Sequence, residues 1–312
     1  MLEVVDPGLL TTVQDGGRPG AADVGVPVGG ACDGWSLAVA NGLLGNPPTA
    51  AGLEMTLLGA TFGVLADCVV GLAGADMEAT LDGLPLDVGS SARLRPGQEL
   101  AFSAVRPYSG VRTYLALAGG VDVPVVLGSR STCLVGGFGG LGGRALLAGD
   151  IIRARERRLP PARRWPVAAT PRAAGGARLR IVAGPDAEVG GWRAYEGLVG
   201  AEWTVGGRGD RQGVRLEGRR LAAGAGDGWL SRGVTWGAIQ LPPDGQPIML
   251  LADRQTVGGY PVVGVVISAD LPLAGQLGPG DQVRFEATDI RAAQSALRAQ
   301  TADYATALAN LR

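Results

Sequence analysis

The chain has 312 residues, among them 53 glycines and 20 prolines, and is 46% hydrophobic, the makeup of a globular, turn-rich protein that favours β architecture over disorder. Its formal net charge is −1, so no overall field draws it to nucleic acid or to an anionic membrane. It contains no histidine and no lysine, all 28 basic side chains being arginine, which excludes an intrinsic Ser-His-Asp triad, histidine metal ligands, a Schiff-base lysine and a phosphate-loop lysine.

Chemistry is then left to carboxylates, arginines, hydroxyls, phenols, thiols and backbone amides, or to half a site that a partner completes. Cys32, Cys68 and Cys133 are odd in number and far apart; they form no CxxC pair, which argues against a disulfide framework or a structural zinc site and for reduced thiols in a cytoplasmic protein. The N-terminus has neither a basic region nor a long apolar one, so a secretory leader is not expected. No apolar run approaches the roughly 20 residues of a membrane-spanning helix.

The opening residues 1–15 predict two short strands around the Pro7-Gly8 turn. A helix is expected over 33–45, capped by Asp33 or Ser36, with Leu37, Ala40, Leu43 and Leu44 at helical spacing. From Ala51 to Phe102 short apolar runs alternate with turns in a barrel or meander rhythm, and residues 111–120 add a buried strand. A literal GxGxxG follows at Gly137, Gly139 and Gly142; a Gly-Asp turn rather than a helix comes after it, so the dinucleotide reading is rejected in favour of a loop. Residues 153–176, with seven arginines, one glutamate and no apolar periodicity, predict a solvated linker. The expected domains are therefore 1–155 and 177–312, joined by a linker over 156–176.

The second half is organised around 236–270. Apolar runs at 247–252 and 261–268 predict buried strands, and the polar insert between them gathers Asp253, Arg254, Gln255, Thr256 and Tyr260 at one strand end, a candidate binding site. Leu94 to Phe102 and Leu277 to Phe285 share a leucine, a Pro-Gly turn and a terminal phenylalanine, and Leu147 to Arg153 echoes the same turn. This repeat predicts two copies of one β-fold. The chain closes with an amphipathic helix over 288–312 whose stripe carries Ile290, Ala293, Leu297, Tyr304, Leu308 and Leu311.

Eight stretches carry a resemblance: TTVQDGGRPG (Thr11 to Gly20), GVPVGGACD (Gly25 to Asp33), ANGLLGN (Ala40 to Asn46), LEMTLLG (Leu53 to Gly59), YLALAGGVDVP (Tyr114 to Pro124), LGSRST (Leu127 to Thr132), GAIQLPPDGQPIMLLADRQTVGGYP (Gly237 to Pro261) and SADLPL (Ser268 to Leu273). In order, they resemble the biotin-dependent carboxyltransferase-like, or allophanate hydrolase subunit 2, family, which includes the C subunit of 5-oxoprolinase, the Kip-inhibitor antagonist and one half of the urea carboxylase transferase region. Two positions depart from the family pattern, Cys32 and Gln212 standing where methionine is usual.

The resemblance implies a mainly β chain of two cyclophilin-like β-barrel domains with a few short helices and a C-terminal helix. It implies the role of the C subunit in an ATP-dependent 5-oxoprolinase. The partners would be a B subunit, related to the Kip inhibitor, and an A subunit. ATP is consumed by that complex, at a site that the partners can supply. The alternatives are a regulatory protein that antagonises a kinase inhibitor, or a carboxyltransferase component acting on urea or a similar amide. With no lysine, the chain carries no biotin of its own. Opening a lactam needs donors for an oxyanion and a carboxylate, and a base to manage water. Arg18, Arg130 and Arg254 are the candidate anion clamps and Asp15, Asp33 and Asp253 the candidate bases; Gln14, Gln240, Gln255, Thr256 and Tyr260 are candidates to orient substrate. No metal ligand set is expected.

Overall fold

A computed structural model describes residues 1–166, 176–188, 193–222 and 230–311. The chain divides into two compact units. The first comprises Met1–Pro19, Gly29–Arg172 and Asp303–Arg312, and the second Gly20–Val28 and Ala173–Ala302.

The first unit holds two antiparallel sheets. One is ordered Ile151–Ile152, Leu2–Asp6, Thr61–Val64, Glu99–Ala101, Thr80–Leu81, Leu84–Pro85; the other is ordered Leu10–Gln14, Gly52–Thr56, Arg112–Leu117, Cys68–Gly74, Ser90–Leu94. The predicted opening strands both form, on either side of Pro7-Gly8, and enter different sheets. Leu2, Val4, Leu53, Met55, Phe62, Leu72, Leu100 and Leu115 fill a core between the sheets. The helix Gly34–Gly42 covers the other face of the second sheet, with Leu37, Val39, Leu43 and Leu44 against Val69, Ala73 and Ala116. This double covering is why Cys68–Gly74 and Arg112–Leu117 are buried at every position instead of alternating. It also explains Gly71, where a Cβ would stand 2.3 Å from the Ala40 carbonyl of the covering helix.

In the second unit seven strands close into a barrel: Gly176–Ala183, Val262–Val266, Ala238–Gln240, Ile248–Leu250, Gly213–Glu217, Glu202–Gly209 and Gln282–Ala287. The ring shuts through a parallel pairing, Gly176 beside Gln282 and Ile181 beside Ala287. Leu179, Ile181, Trp203, Leu216, Ile239, Met249, Val263 and Val283 fill it. Both strands predicted around the polar insert are barrel strands. The repeat has a structural counterpart as well. At 95–98, 147–150 and 278–281 the third residue is a glycine with φ between +86° and +89°. Its N–H bonds a strand carbonyl (Val64, Val4 and Val205), and the fourth residue's side chain accepts from the first residue's N–H.

The mainly β fold with a few helices is as the resemblance implied, the second unit's strands closing into the ring and the first unit's lying in two sheets. Other expectations differ from the structure. The segment expected as a linker lies, over its described part, against the first unit: Ser91 N donates to the Arg163 carbonyl (2.9 Å), Trp165 N donates to the Gly89 carbonyl (2.7 Å), and Trp165 is buried. One tryptophan and a short bridge anchor a stretch whose arginines suggested a free tether; residues 167–175 lie outside the described ones. The terminal helix runs Ile290–Ala309, and much of its expected stripe is in solvent, with Ile290 67% and Leu297 42% exposed. Its packing is concentrated at Ala307, which is buried, and at Tyr304, which meets Trp35 and Trp165 at ring distances of 5.8 and 5.4 Å.

Candidate functional site

In the second unit a pocket of about 370 Å³ opens between barrel strands and the insert, lined by residues that include Arg208, Asp210, Gln212, Arg215, Gln240, Gln255 and Tyr260. The antiparallel register of 202–209 with 213–217 sets Gly209 beside Val214, which brings Arg208 and Arg215 to the same end. Both are exposed, and neither forms an ion pair with a carboxylate among the described residues. The pocket-lining carboxylate, Asp210, accepts from Gln212 N (2.7 Å) and Gly213 N (3.2 Å). Gln240, on the strand Ala238–Gln240, is 1% exposed; its Oε1 accepts from Gln255 Nε2 (3.1 Å), and its own Nε2 has no hydrogen-bond partner among the described residues. Tyr260 is 46% exposed. The wall is thus rich in donors: two guanidinia, a phenol and a buried amide.

Three of the predicted residues, Gln240, Gln255 and Tyr260, meet in this pocket. Thr256 uses its carbonyl to bind Val234 N (3.0 Å). Asp253 serves the fold: its carboxylate takes a two-pronged bond from Arg211, Nε to Oδ2 at 2.8 Å and Nη2 to Oδ1 at 3.0 Å, with the pair 3% and 5% exposed. A carboxylate so engaged is a poor general base. Arg254 is almost buried and donates through Nε to the Val234 carbonyl (3.3 Å), while its Nη1 has no partner. Burial pushes this guanidinium below its ordinary value, as expected for a charge with no carboxylate beside it.

In the first unit Gln14, Asp15, Arg18 and Arg130 also come together. Asp15 ties two loops. Its Oδ1 accepts from Gly17 N (2.8 Å), Ser129 Oγ (2.6 Å) and Ser131 Oγ (2.6 Å), and its Oδ2 from Arg130 N (2.6 Å). Those four donors make it a loop organiser. Arg18 is fully buried, donates to the carbonyls of Val126 and Ser131, and lies 5.0 Å from the Phe138 ring centre; its Nη1 has no partner. The glycine-rich loop packs on it, and a Cβ at Gly139 would stand 2.1 Å from the Ser131 carbonyl. Gln14 is fully buried, bonding Thr12 and Thr132 through Nε2. Arg130 donates through Nε to the Val123 carbonyl (3.1 Å). No helix follows Gly137, Gly139 and Gly142, whose φ values of +65°, +73° and +70° belong to turns.

Asp33 caps the helix Gly34–Gly42, accepting from Ser36 N (2.9 Å) and Ser36 Oγ (2.6 Å), and its own N–H donates to the Tyr114 hydroxyl (2.8 Å). That hydroxyl donates to the buried Glu54 (2.7 Å), which also takes Cys32 N (2.9 Å) and faces Arg112 at 3.6 Å. Burial, reinforced by Glu54, holds the Tyr114 phenol well above its ordinary value. The capping role follows from sequence, and it engages both carboxylate oxygens at the helix start.

Sequence reasoning missed Arg208 and Arg215 in the pocket, Arg211 beneath it, and Ser129 and Ser131 around Asp15. Only the serines had a signal, the LGSRST string beside Arg130. The arginines sit in an ordinary Gly-rich strand pair, and only the barrel register shows what they share. Among the described residues no group of three or more Cys, Asp or Glu is placed to hold a metal ion, and no helix is long and apolar enough to cross a membrane.

Residues 24–287 match the model of the carboxyltransferase domain, subdomains A and B. The chain is 37% identical to the 5-oxoprolinase C subunit of Escherichia coli strain K12 over 285 residues, 91% of this chain and 90% of that protein. Among solved structures, the crystal structure of TTHA0988 superimposes with a TM-score of 0.83 at 37% identity, covering 91% of this chain and 56% of that one. The crystal structure of the Kluyveromyces lactis urea carboxylase superimposes with a TM-score of 0.87 at 28% identity, over 98% of this chain and 29% of that one. This chain therefore spans just over half of the first structure and under a third of the second.

Proposed function

The chain belongs to the carboxyltransferase family of subdomains A and B, and from that membership we propose that it works as the C subunit of an ATP-dependent 5-oxoprolinase, in complex with companion subunits. The observation that carries this reading is the end-to-end likeness to the 5-oxoprolinase C subunit of Escherichia coli, which leaves out no large part of either chain. The donor-rich pocket of the second unit supports it. The substrate, 5-oxoproline, pairs a carboxylate with a lactam carbonyl. Arg208 and Arg215 suit the first group, since a guanidinium offers a planar fork to a carboxylate. The neutral donors of the same pocket suit the second.

A lactam is a poor electrophile. In this proposal ATP phosphorylates its carbonyl oxygen and ADP leaves; water then adds at the activated carbon, the ring C–N bond breaks as the nitrogen takes up a proton, and inorganic phosphate is released to leave glutamate. This chain's part is to bind and orient the lactam and to donate to its developing charge. The two companions, the B subunit related to the Kip inhibitor and the A subunit, bring the ATP chemistry and the proton acceptor. The test is glutamate release from 5-oxoproline by purified chain, with and without companions and ATP. Release that requires all of them is expected; turnover by the isolated chain, or none by the complete set, overturns the proposal.

A second reading has its own observation, the likeness to urea carboxylase over 98% of this chain. There the chain would receive a carboxyl group from biotin carried by another protein, its own sequence lacking lysine. Carboxylation of a small amide by the chain with a biotinylated partner distinguishes the two.

A further inference from the structure

The pocket of the second unit holds a pair of amides that the function above leaves unused. Gln240 is 1% exposed on a barrel strand, and its Nε2 is a buried donor without an acceptor. Its Oε1 is occupied by Gln255 Nε2 at 3.1 Å, and both residues line the pocket. A buried N–H group without a partner is costly; such groups are rare in folded proteins and call for a reason. Gly258 closes on the same amide: a Cβ there would meet Gln240 Nε2 at 2.4 Å, so any larger residue would fill the place where the donor stands.

An amide has two faces of opposite polarity, and which one it offers is set by its neighbour. Here the neighbour takes the acceptor and leaves the donor. We propose that Gln255 locks Gln240 in this sense, and that Gln240 Nε2 recognises the carbonyl oxygen of a small anionic amide or lactam whose acid group lies against Arg208 and Arg215. Gln240 is then a specificity-determining residue and Gln255 its positioning residue. The class of ligand is a compact molecule carrying an anionic group and a carbonyl acceptor. The choice of 5-oxoproline within that class rests on the function proposed above. An analogue without the carbonyl leaves the buried donor unmatched and is disfavoured for that reason, a form of discrimination that sites built around hydrogen bonds perform well.

The test is calorimetric or NMR titration of the full chain with three ligands. 5-Oxoproline carries both groups, cyclopentanecarboxylate only the acid, and 2-pyrrolidinone only the carbonyl. 5-Oxoproline is expected to bind about fivefold to tenfold tighter than cyclopentanecarboxylate, the range of one hydrogen bond to a neutral partner. The decisive variant is Gln255→Glu at an exposed position, where the substitution leaves the barrel intact. A carboxylate only accepts, so it draws Gln240 Nε2 to itself and turns Oε1 towards the ligand. The ratio between the two acids should then fall to about one, and taking a ratio cancels the repulsion that Glu adds for both. An unchanged ratio in Gln255→Glu, equal binding of the two acids by the wild type, or no saturable binding of either at millimolar concentration overturns the inference. Its failure is separable from failure of the proposed function. A preserved ratio with no ATP-dependent turnover by the complex sinks the 5-oxoprolinase reading alone, and turnover with a flat ratio sinks this one alone.

Discussion

Replacing Asp253 by alanine separates a structural carboxylate from a catalytic one. The Arg211–Asp253 pair is bonded at 2.8 and 3.0 Å and is 3% and 5% exposed. Removing Asp253 takes a two-pronged carboxylate bond away from a buried guanidinium, and breaking a buried pair in this way costs about 3–5 kcal/mol. Asp253 N also bonds the Arg211 carbonyl (2.8 Å), and alanine keeps that backbone bond, so the loss isolates the side-chain pair. With a urea slope of about 1–3 kcal/mol/M, the midpoint should fall by roughly 2 M. Asp253→Asn, which keeps one acceptor, should lose less. The assay is urea titration of the full chain beside activity of the reconstituted complex. If Asp253→Ala costs under about 1 kcal/mol and still abolishes activity, the carboxylate is free to act as a base and the reasoning from its contacts fails.

Arg215→Ala, in the pocket wall, should reduce activity of the complex by about tenfold to hundredfold, the worth of a charged hydrogen bond, and Arg215→Lys should not fully restore it because the ammonium lacks the planar fork; unchanged activity, or a collapsed melt, refutes this. Asp33→Ala should cost about 0.5–2 kcal/mol as a lost helix cap, with Asp33→Ser recovering most of it; loss of activity without loss of stability would restore Asp33 as a base. The turn carboxylates Asp150 and Asp281 should respond to acid in opposite directions. The side-chain bond from Arg144 holds Asp150 below its ordinary value, so its stabilisation is present above the unfolded value and is lost as pH falls through the folded one. Burial raises Asp281, so its charged form weakens the fold above its folded value and that penalty disappears on acidification. Stability curves of Asp150→Asn and Asp281→Asn against pH check both signs, and parallel curves would refute them.

What the sequence makes legible follows from local rules. Strands flanking Pro-Gly turns, the Asp33 cap and the shared turn at 95–98, 147–150 and 278–281 are set by neighbours a few residues apart, and they appear as read. Closure is different: whether strands form a ring or two sheets depends on pairings far apart in the chain, such as Gly176 with Gln282. The candidate site divides along the same line. The insert 253–260 was visible because its polar residues interrupt two apolar runs. Arg208 and Arg215 were not, because they lie in an unremarkable Gly-rich strand pair, nor was Arg211, in the turn between those strands; they reach the pocket or Asp253 only through the barrel.

The carboxylates fit the proposed need for companions. Each acid that sequence offered as a base is already occupied: Asp15 by four loop donors, Asp33 by a helix terminus, Asp253 by Arg211. Asp210, within the pocket, bonds two backbone amides of its own turn. The donors behave in the opposite way. Arg18 and Arg254 keep a buried Nη1 without a partner, as does Gln240 at Nε2, and such groups are costly to maintain unless they meet an acceptor. A chain without histidine or lysine, with its acids bound and its donors waiting, is equipped to hold an oxyanion and ill equipped to move a proton. In the proposed lactam-opening complex that division agrees with charge stabilisation by this chain and a general base on a companion.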